Sequence, residues 1–303
     1  MAAELISRFA PSPTGRLHLG HAFSALLAHD LARARGGRFL LRIEDIDAGR
    51  CRHDHIEGIV EDLRWLGLHW DGEIVFQSGR LALYHAACDR LRADGLLYPC
   101  FCTRAQISAE IGASASAPHG PYGLIYPGSC KRLLRHQVEL RLAAGAPHAW
   151  RLDVAEAAAR VGPLSWHDRH AGEVPATPEL HGDVVLARKD APTSYHLAVT
   201  VDDAAQGVTD VIRGEDLFAA THVHRLLQAL LGLPTPAYHH HRLLADAGGE
   251  RLAKRRGSPT LASMRADGAD PTELLRMLRG SSAPFAGGGN GFRSDAPRAK
   301  PFV

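Results

Sequence analysis

Leu5 and Ile6 open an apolar stretch that runs at once into Arg8-Phe9-Ala10-Pro11-Ser12-Pro13-Thr14-Gly15-Arg16-Leu17-His18-Leu19-Gly20-His21. From Gly20 to Arg35 apolar residues recur at helical spacing, and Arg38 to Ile43 is a second strand pattern, ending in Glu44-Asp45-Ile46-Asp47. Two prolines and Gly15 enforce an irregular turn between the first strand and the helix. Strand, turn, helix and strand in that order commit the chain to a parallel α/β sheet, because neighbouring parallel strands need a crossover long enough to hold a helix. The turn then lies at a helix N-terminus, where unpaired N–H groups and the helix dipole attract phosphate.

That geometry selects candidate residues. His18 and His21 can donate to phosphoryl oxygens as charge shifts during transfer at an α-phosphate, and Gly20 leaves an adenine unobstructed beside the helix. Pro11 lines the same turn. Two histidines at a helix start also fit an ordinary polar surface, but the second strand delivers Glu44 to the same sheet edge, where it can hold an ammonium group. Arg8 and Arg213 end predicted strands and suit a substrate with two carboxylates, since a guanidinium binds a carboxylate through two parallel hydrogen bonds. Ala10 and Ser12 can add backbone and hydroxyl contacts from the turn.

At 303 residues, 45% hydrophobic and 22% charged, the chain can bury two packed units. No stretch approaches the roughly 20 apolar residues of a membrane span, and the N-terminus lacks a basic segment followed by an apolar run. A cytoplasmic enzyme without membrane partners is the expectation. The formal net charge is only +2, so a nucleic-acid surface has to be a local patch. Lysines are confined to Lys131, Lys189, Lys254 and Lys300 among 35 basic residues.

Helices are predicted at Asp54 to Leu66 and Arg80 to Asp94, completing the first half of a doubly wound sheet over residues 1–98. The chain then turns Cys-, Gly-, Pro-, Ser- and Ala-rich from Tyr98 to about Pro127, with a helix at Arg132 to Ala144 and short strands from Trp150 to Lys189. Residues 99–190 are accordingly expected to form an insertion reaching away from the sheet. Strands at Tyr195 to Val201, Val208 to Arg213 and Tyr238 to Leu244, with helices at Ala219 to Leu231 and Pro271 to Arg279, supply the second half over 191–282. The Gly-rich tail, 283–303, has no apolar periodicity and is expected to be disordered.

Cys100, Cys102 and Cys130 suggest a structural zinc, since three thiolates and one further donor close a tetrahedral site in a module with few bulky apolar residues. Buried thiols are the alternative. On ligand chemistry the fourth donor is His119 or His136. Cys51 and Cys88 fall in helical patterns, and His239-His240-His241 fits a strand surface better than a metal site.

Through RFAPSPTGRLHLGH, RIEDID, SYHLAVTVDD and VIRGEDL the chain resembles the class I aminoacyl-tRNA synthetases of the glutamyl and glutaminyl type. The resemblance implies an α/β, Rossmann-type catalytic core with an inserted zinc-containing subdomain like the one that handles the acceptor end. It implies ATP with Mg²⁺ and L-glutamate as substrates, Arg8 and Tyr195 near the substrate side chain, Arg213 on a carboxylate, and Glu44 on the α-amino group. It also puts Tyr126, not a histidine, in the fourth zinc position. Gly248 to Arg256 stands where this family carries a mobile lysine loop. Arg251, Ala253 and Arg255 depart from the usual pattern, which leaves a basic surface run open, but Lys254 falls where the loop needs an ammonium to follow pyrophosphate. Only 49 residues follow Lys254 in the 303-residue chain, too few for an anticodon-binding domain. The resemblance is therefore to a truncated branch that activates glutamate without tRNA and transfers it to queuosine in the anticodon of tRNA(Asp). A truncated enzyme charging a tRNA 3′ end and a non-catalytic regulatory relative are the alternatives.

Overall fold

Strand β1 (Ile6–Phe9) leads through the proline turn into α1 (Leu19–Ala34), which returns the chain to β2 (Arg38–Ile43), parallel to β1 with Arg8 opposite Leu40. The structure, a computed structural model, describes residues 4–113, 119–120, 123–244 and 259–281. Helix α1 starts at His18, whose ring accepts the Gly20 N–H at 3.1 Å and so satisfies a donor the helix cannot. It buries Ala22, Phe23, Ala25 and Leu26 against the sheet and stops at Gly36, whose φ of 63° suits only a residue without Cβ. Gly37 then passes so close to β1 that an added Cβ would lie 2.1 Å from the Leu5 carbonyl oxygen.

Helix α2 (His53–Trp65), strand β3 (Val75–Phe76), which pairs parallel with β2, and α3 (Leu81–Ala93) complete this half. The chain next forms β4 (Leu97–Cys100), α4 (Arg104–Ala113), a small hairpin of β5 (His119–Gly120) and β6 (Gly123–Leu124), α5 (Arg135–Ala143), β7 (Ala149–Leu152) and α6 (Val154–Val161). Strands β8 (Ser165–Asp168), β9 (Gly172–Pro175) and β10 (Val185–Ala187) follow. Antiparallel pairing of β4 and β10 with β7 makes a small separate sheet. The β8–β9 hairpin does not reach away as the sequence suggested. Tyr238 pairs with Asp168, so the hairpin extends the main sheet, because a long-range pairing of this kind leaves no local mark in sequence.

The second half comprises α7 (Tyr195–Ala205), β11 (Asp210–Gly214), α8 (Ala220–Leu231), β12 (Ala237–His241), α9 (Leu261–Ala266) and α10 (Pro271–Ser281). Strand β11 runs parallel to β12, and it is tied to β1 where the Thr209 N–H donates to the Ile6 carbonyl and the Ile6 N–H to Thr209 Oγ1, both at 2.9 Å. The two halves thus share one edge.

Three expectations change. Tyr195 to Val201 is helical, not a strand. Val199, Thr200 and Val201 favour strands on propensity, but Ser194 caps α7 by accepting the Leu197 N–H, and Leu197, Ala198 and Val199 are buried between neighbouring helices, so packing overrides a weak local preference. His239, His240 and His241 are buried, not strand surface, because β8 pairs along the edge of β12 while Phe23 and Ser24 of α1 pack on His241 and Phe218 and Thr221 pack on His240. Cys51 precedes α2 instead of lying within a helix, whereas Cys88 is in α3. Among the described residues no helix is long and apolar enough to cross a membrane.

The main core packs α1 on the sheet through Phe23, Leu26, Phe39, Leu41 and Ile43; a second core joins α3, α7 and α8 through Leu91, Leu197, Val223 and Leu227. Because Gly37 governs how closely β1 approaches α1 and β2, Gly37→Ala is expected to destabilise the protein by about 1–3 kcal/mol, the range for forcing extra volume into a packed site. Urea denaturation measures it. An unchanged midpoint would show that the backbone shifts at no cost.

Candidate active site

The strands deliver side chains to the C-terminal edge of the parallel sheet, where open α/β folds bind ligands. Arg8 stands on β1, Glu44 follows β2, Arg213 lies on β11, and Leu243 and Leu244 follow β12. A cavity of about 560 Å³ opens there, within the usual size of a small-molecule site. Arg8, Ala10, Pro11, Ser12, His18, Gly20, His21, Glu44, Tyr195 and Arg213 all line it. Lys254 and its neighbours Arg251, Ala253 and Arg255 lie outside the described residues, as does 283–303. The described chain does flank the cavity on both sides of that gap: Leu244 lines it, and Thr260 bridges to His18.

The histidine pair is ordered by the helix it starts. His18 Nδ1 accepts the Gly20 N–H, and His21 Nδ1 accepts the His18 N–H at 3.2 Å, a reciprocal cap. With each Nδ1 committed as an acceptor, the proton of each neutral ring sits on Nε2. The ring centroids are 3.9 Å apart, so the two imidazoles sit side by side on the cavity wall. Gly20 has a structural role beyond the open space expected of it, since a Cβ there would meet His18 Cε1 at 3.0 Å. The turn itself is tied to the carboxylate strand, because the Glu44 N–H donates to the Pro11 carbonyl at 3.1 Å.

Behind the cavity lies a buried charge cluster. Asp203 on α7 accepts from Arg8 Nε at 3.0 Å and from Arg42 Nη1 at 2.8 Å. Arg42, wholly buried, also donates to Gln206 at 2.8 Å and reaches Glu44 at 3.5 Å. Burial opposes ionisation of Asp203, but the two guanidiniums outweigh it and hold the carboxyl below its ordinary range. Glu44 goes the other way: burial pushes it up against the pull of Arg42 and Arg8. Next to Asp203, Asp202 accepts from Tyr84 at 2.7 Å, Gln77 at 2.9 Å and Arg80 Nε at 2.6 Å, locking α7 to α3.

Asp203, Arg42 and Asp202 escaped the selection of site residues although they stand inside the quoted SYHLAVTVDD and RIEDID. A strand reading of Tyr195 onward hid the fact that adjacent aspartates on a helix can face two different arginine groups.

The cysteine cluster also assembles. Sγ atoms of Cys100, Cys102 and Cys130 lie within 4.8 Å of one another, with Cys102 and Cys130 at 3.3 Å. Tyr126 Oη is 3.4 Å from Cys100 Sγ and 3.7 Å from Cys102 Sγ. A tetrahedral ion with the usual bonds to sulfur and oxygen needs donors about 3.5–3.8 Å apart, and the distances of 3.3, 3.4 and 3.7 Å here come within a few tenths of an ångström of that spacing. Without a cation, burial and the hydrogen bond with Cys100 raise the Tyr126 phenol, and a dication is what would ionise it. His136 is exposed on α5 and outside the cluster, which removes it as fourth donor; the side chain of His119 is outside the described part.

The sequence profile of tRNA synthetases class I (E and Q), catalytic domain, matches residues 4–294. The chain is 51% identical over 280 residues to the glutamyl-Q tRNA(Asp) synthetase of Rhodobacter capsulatus, covering 90% of this chain and 99% of that one. To the protein of the same name from Nocardia farcinica it is 47% identical over 274 residues, covering 90% and 83%. The chain belongs to the glutamyl-Q tRNA(Asp) synthetase family. Membership makes it a ligase-type enzyme on a class I synthetase catalytic fold. Among solved structures it is similar to the glutamate-tRNA synthetase of Elizabethkingia anophelis, with a TM-score of 0.77 and 28% identity, covering 91% of this chain and 61% of that one. A glutamate tRNA ligase from Elizabethkingia meningosepticum, solved with its amino acid, gives a TM-score of 0.77 at 27% identity, covering 91% and 60%. The chain thus spans about three-fifths of those solved synthetases.

Removing the carboxylate shared by two buried arginines leaves both charges unanswered, which typically costs roughly 3–5 kcal/mol. Asp203→Ala is expected to lower stability by that order in urea denaturation. A loss below about 1 kcal/mol, the level of an exposed ion pair, would show that solvent already screens the cluster.

Proposed function

We propose that this protein activates L-glutamate with ATP, in the absence of tRNA, and transfers the glutamyl group to queuosine in the anticodon of a tRNA(Asp). The observation that carries this reading is one cavity shared by the histidine pair at the start of α1 and by Arg8, Glu44, Tyr195 and Arg213. Its chemistry matches glutamate: guanidiniums for carboxylates, a buried acid for the ammonium, and a helix N-terminus with imidazole donors for phosphate. The relatives named for glutamyl-Q tRNA(Asp) formation support the acceptor.

In the first step a glutamate carboxylate oxygen attacks the α-phosphorus of ATP, forming the acyl–phosphate bond as the bond to pyrophosphate breaks. His18 and His21 donate through Nε2–H to phosphoryl oxygens as negative charge builds. Mg²⁺ bound with ATP shields the phosphate charge. We assign Lys254 to the departing pyrophosphate, since the chain on either side of its segment flanks the histidines. In the second step a hydroxyl of the acceptor nucleoside attacks the acyl carbon, its proton is lost, and AMP leaves. Ala10, Pro11 and Ser12 bound the turn on which the two substrates meet, and Gly20 keeps room for the His18 ring.

We further assign a structural zinc to Cys100, Cys102, Cys130 and Tyr126, on the fit of their spacing to a tetrahedral ion. Residues 99–190 then form a zinc-bearing insertion between catalytic halves 1–98 and 191–282, with its β8–β9 hairpin joined to the main sheet.

Pyrophosphate exchange is expected with glutamate, ATP and Mg²⁺ alone; an absolute requirement for tRNA would remove tRNA-independent activation. Labelled glutamate is expected on the anticodon nucleoside of queuosine-containing tRNA(Asp) and absent from tRNA lacking queuosine, as mapped by nuclease digestion. Label on the 3′-terminal adenosine would make the protein a tRNA-charging synthetase instead. Metal analysis is expected to find about one zinc per chain, lost in Cys100→Ser. Full zinc retention in Tyr126→Phe would take the phenol out of the ligand set.

A further inference from the structure

Arg8 and Arg213 face the same cavity but are held in opposite ways. Arg8 is answered by the Asp203 carboxylate, whereas among the described residues the hydrogen bonds of Arg213 go to imidazoles and hydroxyls. Arg213 Nε donates to His240 Nε2 at 3.1 Å, Nη1 to Tyr195 Oη at 3.3 Å, and Nη2 to Thr221 Oγ1 at 2.7 Å, while His224 Nδ1 receives both Nη1 and Nη2 at 3.3 and 3.4 Å. Of these partners Tyr195 alone lines the cavity; the rest grip the guanidinium from behind.

An arginine has no acceptor, so His240 Nε2 and His224 Nδ1 present lone pairs. The proton of His240 is therefore on Nδ1, and it points to Asp168 Oδ2 at 2.8 Å. Asp168 is itself fixed, its Oδ1 accepting the His170 and Ala171 N–H groups at 2.8 and 2.9 Å. The His240 ring is packed against Phe218 at 5.0 Å and parallel to Tyr238 at 5.9 Å between centroids. Burial keeps both His240 and His224 below their ordinary values, consistent with neutral rings that accept.

We propose that Asp168 and His240 are positioning residues for Arg213: the carboxylate fixes the imidazole tautomer, and the neutral ring holds the guanidinium in place while leaving its charge for a carboxylate of the amino-acid substrate. A carboxylate in the place of His240 would hold Arg213 equally well but offset that charge, as Asp203 offsets part of the charge of Arg8 and Arg42. The device rests on the glutamate-activating reading above and adds to it the residues that set amino-acid affinity from outside the cavity.

Pyrophosphate exchange, with glutamate and ATP varied separately, tests it on wild type, His240→Leu and His240→Gln. His240→Leu, which fills space but accepts no hydrogen bond, is expected to lower kcat/KM for glutamate on the order of 100-fold, as misplacement of a binding group does, with the loss carried by KM and with KM for ATP unchanged. His240→Gln, whose amide can accept from Arg213 and donate to Asp168, is expected to recover most of it. An unchanged glutamate KM in His240→Leu overturns the proposal, and so does a parallel rise in KM for ATP, which marks a merely structural residue. If His240→Leu fails to show a cooperative thermal transition, His240→Asn takes its place, since its shorter amide cannot bridge both partners; a glutamate KM equal to that of His240→Gln then overturns the proposal. Wild-type protein without glutamate-dependent exchange overturns the glutamate reading itself and this inference with it, a result separable from any variant effect.

Discussion

One carboxylate holds the two halves of the catalytic core in register. Asp203 comes from α7, after the insertion, yet it accepts from Arg8 on β1 and Arg42 on β2, which lie before the insertion and precede Asp203 by 195 and 161 residues. Two buried guanidiniums drawn to one buried carboxylate have few alternative arrangements, because any shift that breaks the contact strands a charge in a low-dielectric interior. Asp202, one residue earlier, fastens the same helix to α3 through Tyr84, Gln77 and Arg80. Hydrophobic packing supplies most of the stabilisation, but it is non-directional; these aspartates fix where α7 sits, and so where Tyr195 at its first turn meets the cavity.

The same network explains why two arginines on one cavity wall can have different uses. Arg8 is paired from behind with Asp203, a carboxylate it shares with Arg42. Arg213 is held by imidazoles and hydroxyls and keeps its charge. Burial raises Glu44 on the same wall despite the nearby Arg42. On the proposed reading, a ligand with ammonium and carboxylate groups would meet charges already in position, which reduces the reorganisation needed as the phosphoryl group is attacked.

Much of this was legible in the chain. The proline turn, the helix from Leu19 and the strand ending at Ile43 read directly, because local periodicity and backbone restriction dictate them. So did the cavity-lining Arg8, His18, His21, Glu44 and Arg213, since residues at strand ends and helix starts converge on one sheet edge in this fold, whereas Tyr195 came from the family resemblance. The cysteine cluster was visible in spacing; ligand chemistry alone favoured a histidine beside it, and the family resemblance pointed to Tyr126, whose phenol the folded chain brings to the thiols.

The tertiary structure alone decided the rest. Val199, Thr200 and Val201 are strand formers by preference, and only their burial between helices makes the segment helical and turns Asp202 and Asp203 toward different partners. His240 looked like strand surface because nothing near it in sequence reveals the β8–β9 hairpin that brings Asp168 beside it. Sequence by itself determined the local conformations and the chemical groups supplied to the sheet edge, since these depend on residues a few positions apart. Which of those groups keep their charge depends on partners up to 195 positions away, as Arg8 and Asp203 illustrate, and only folding brings such partners together.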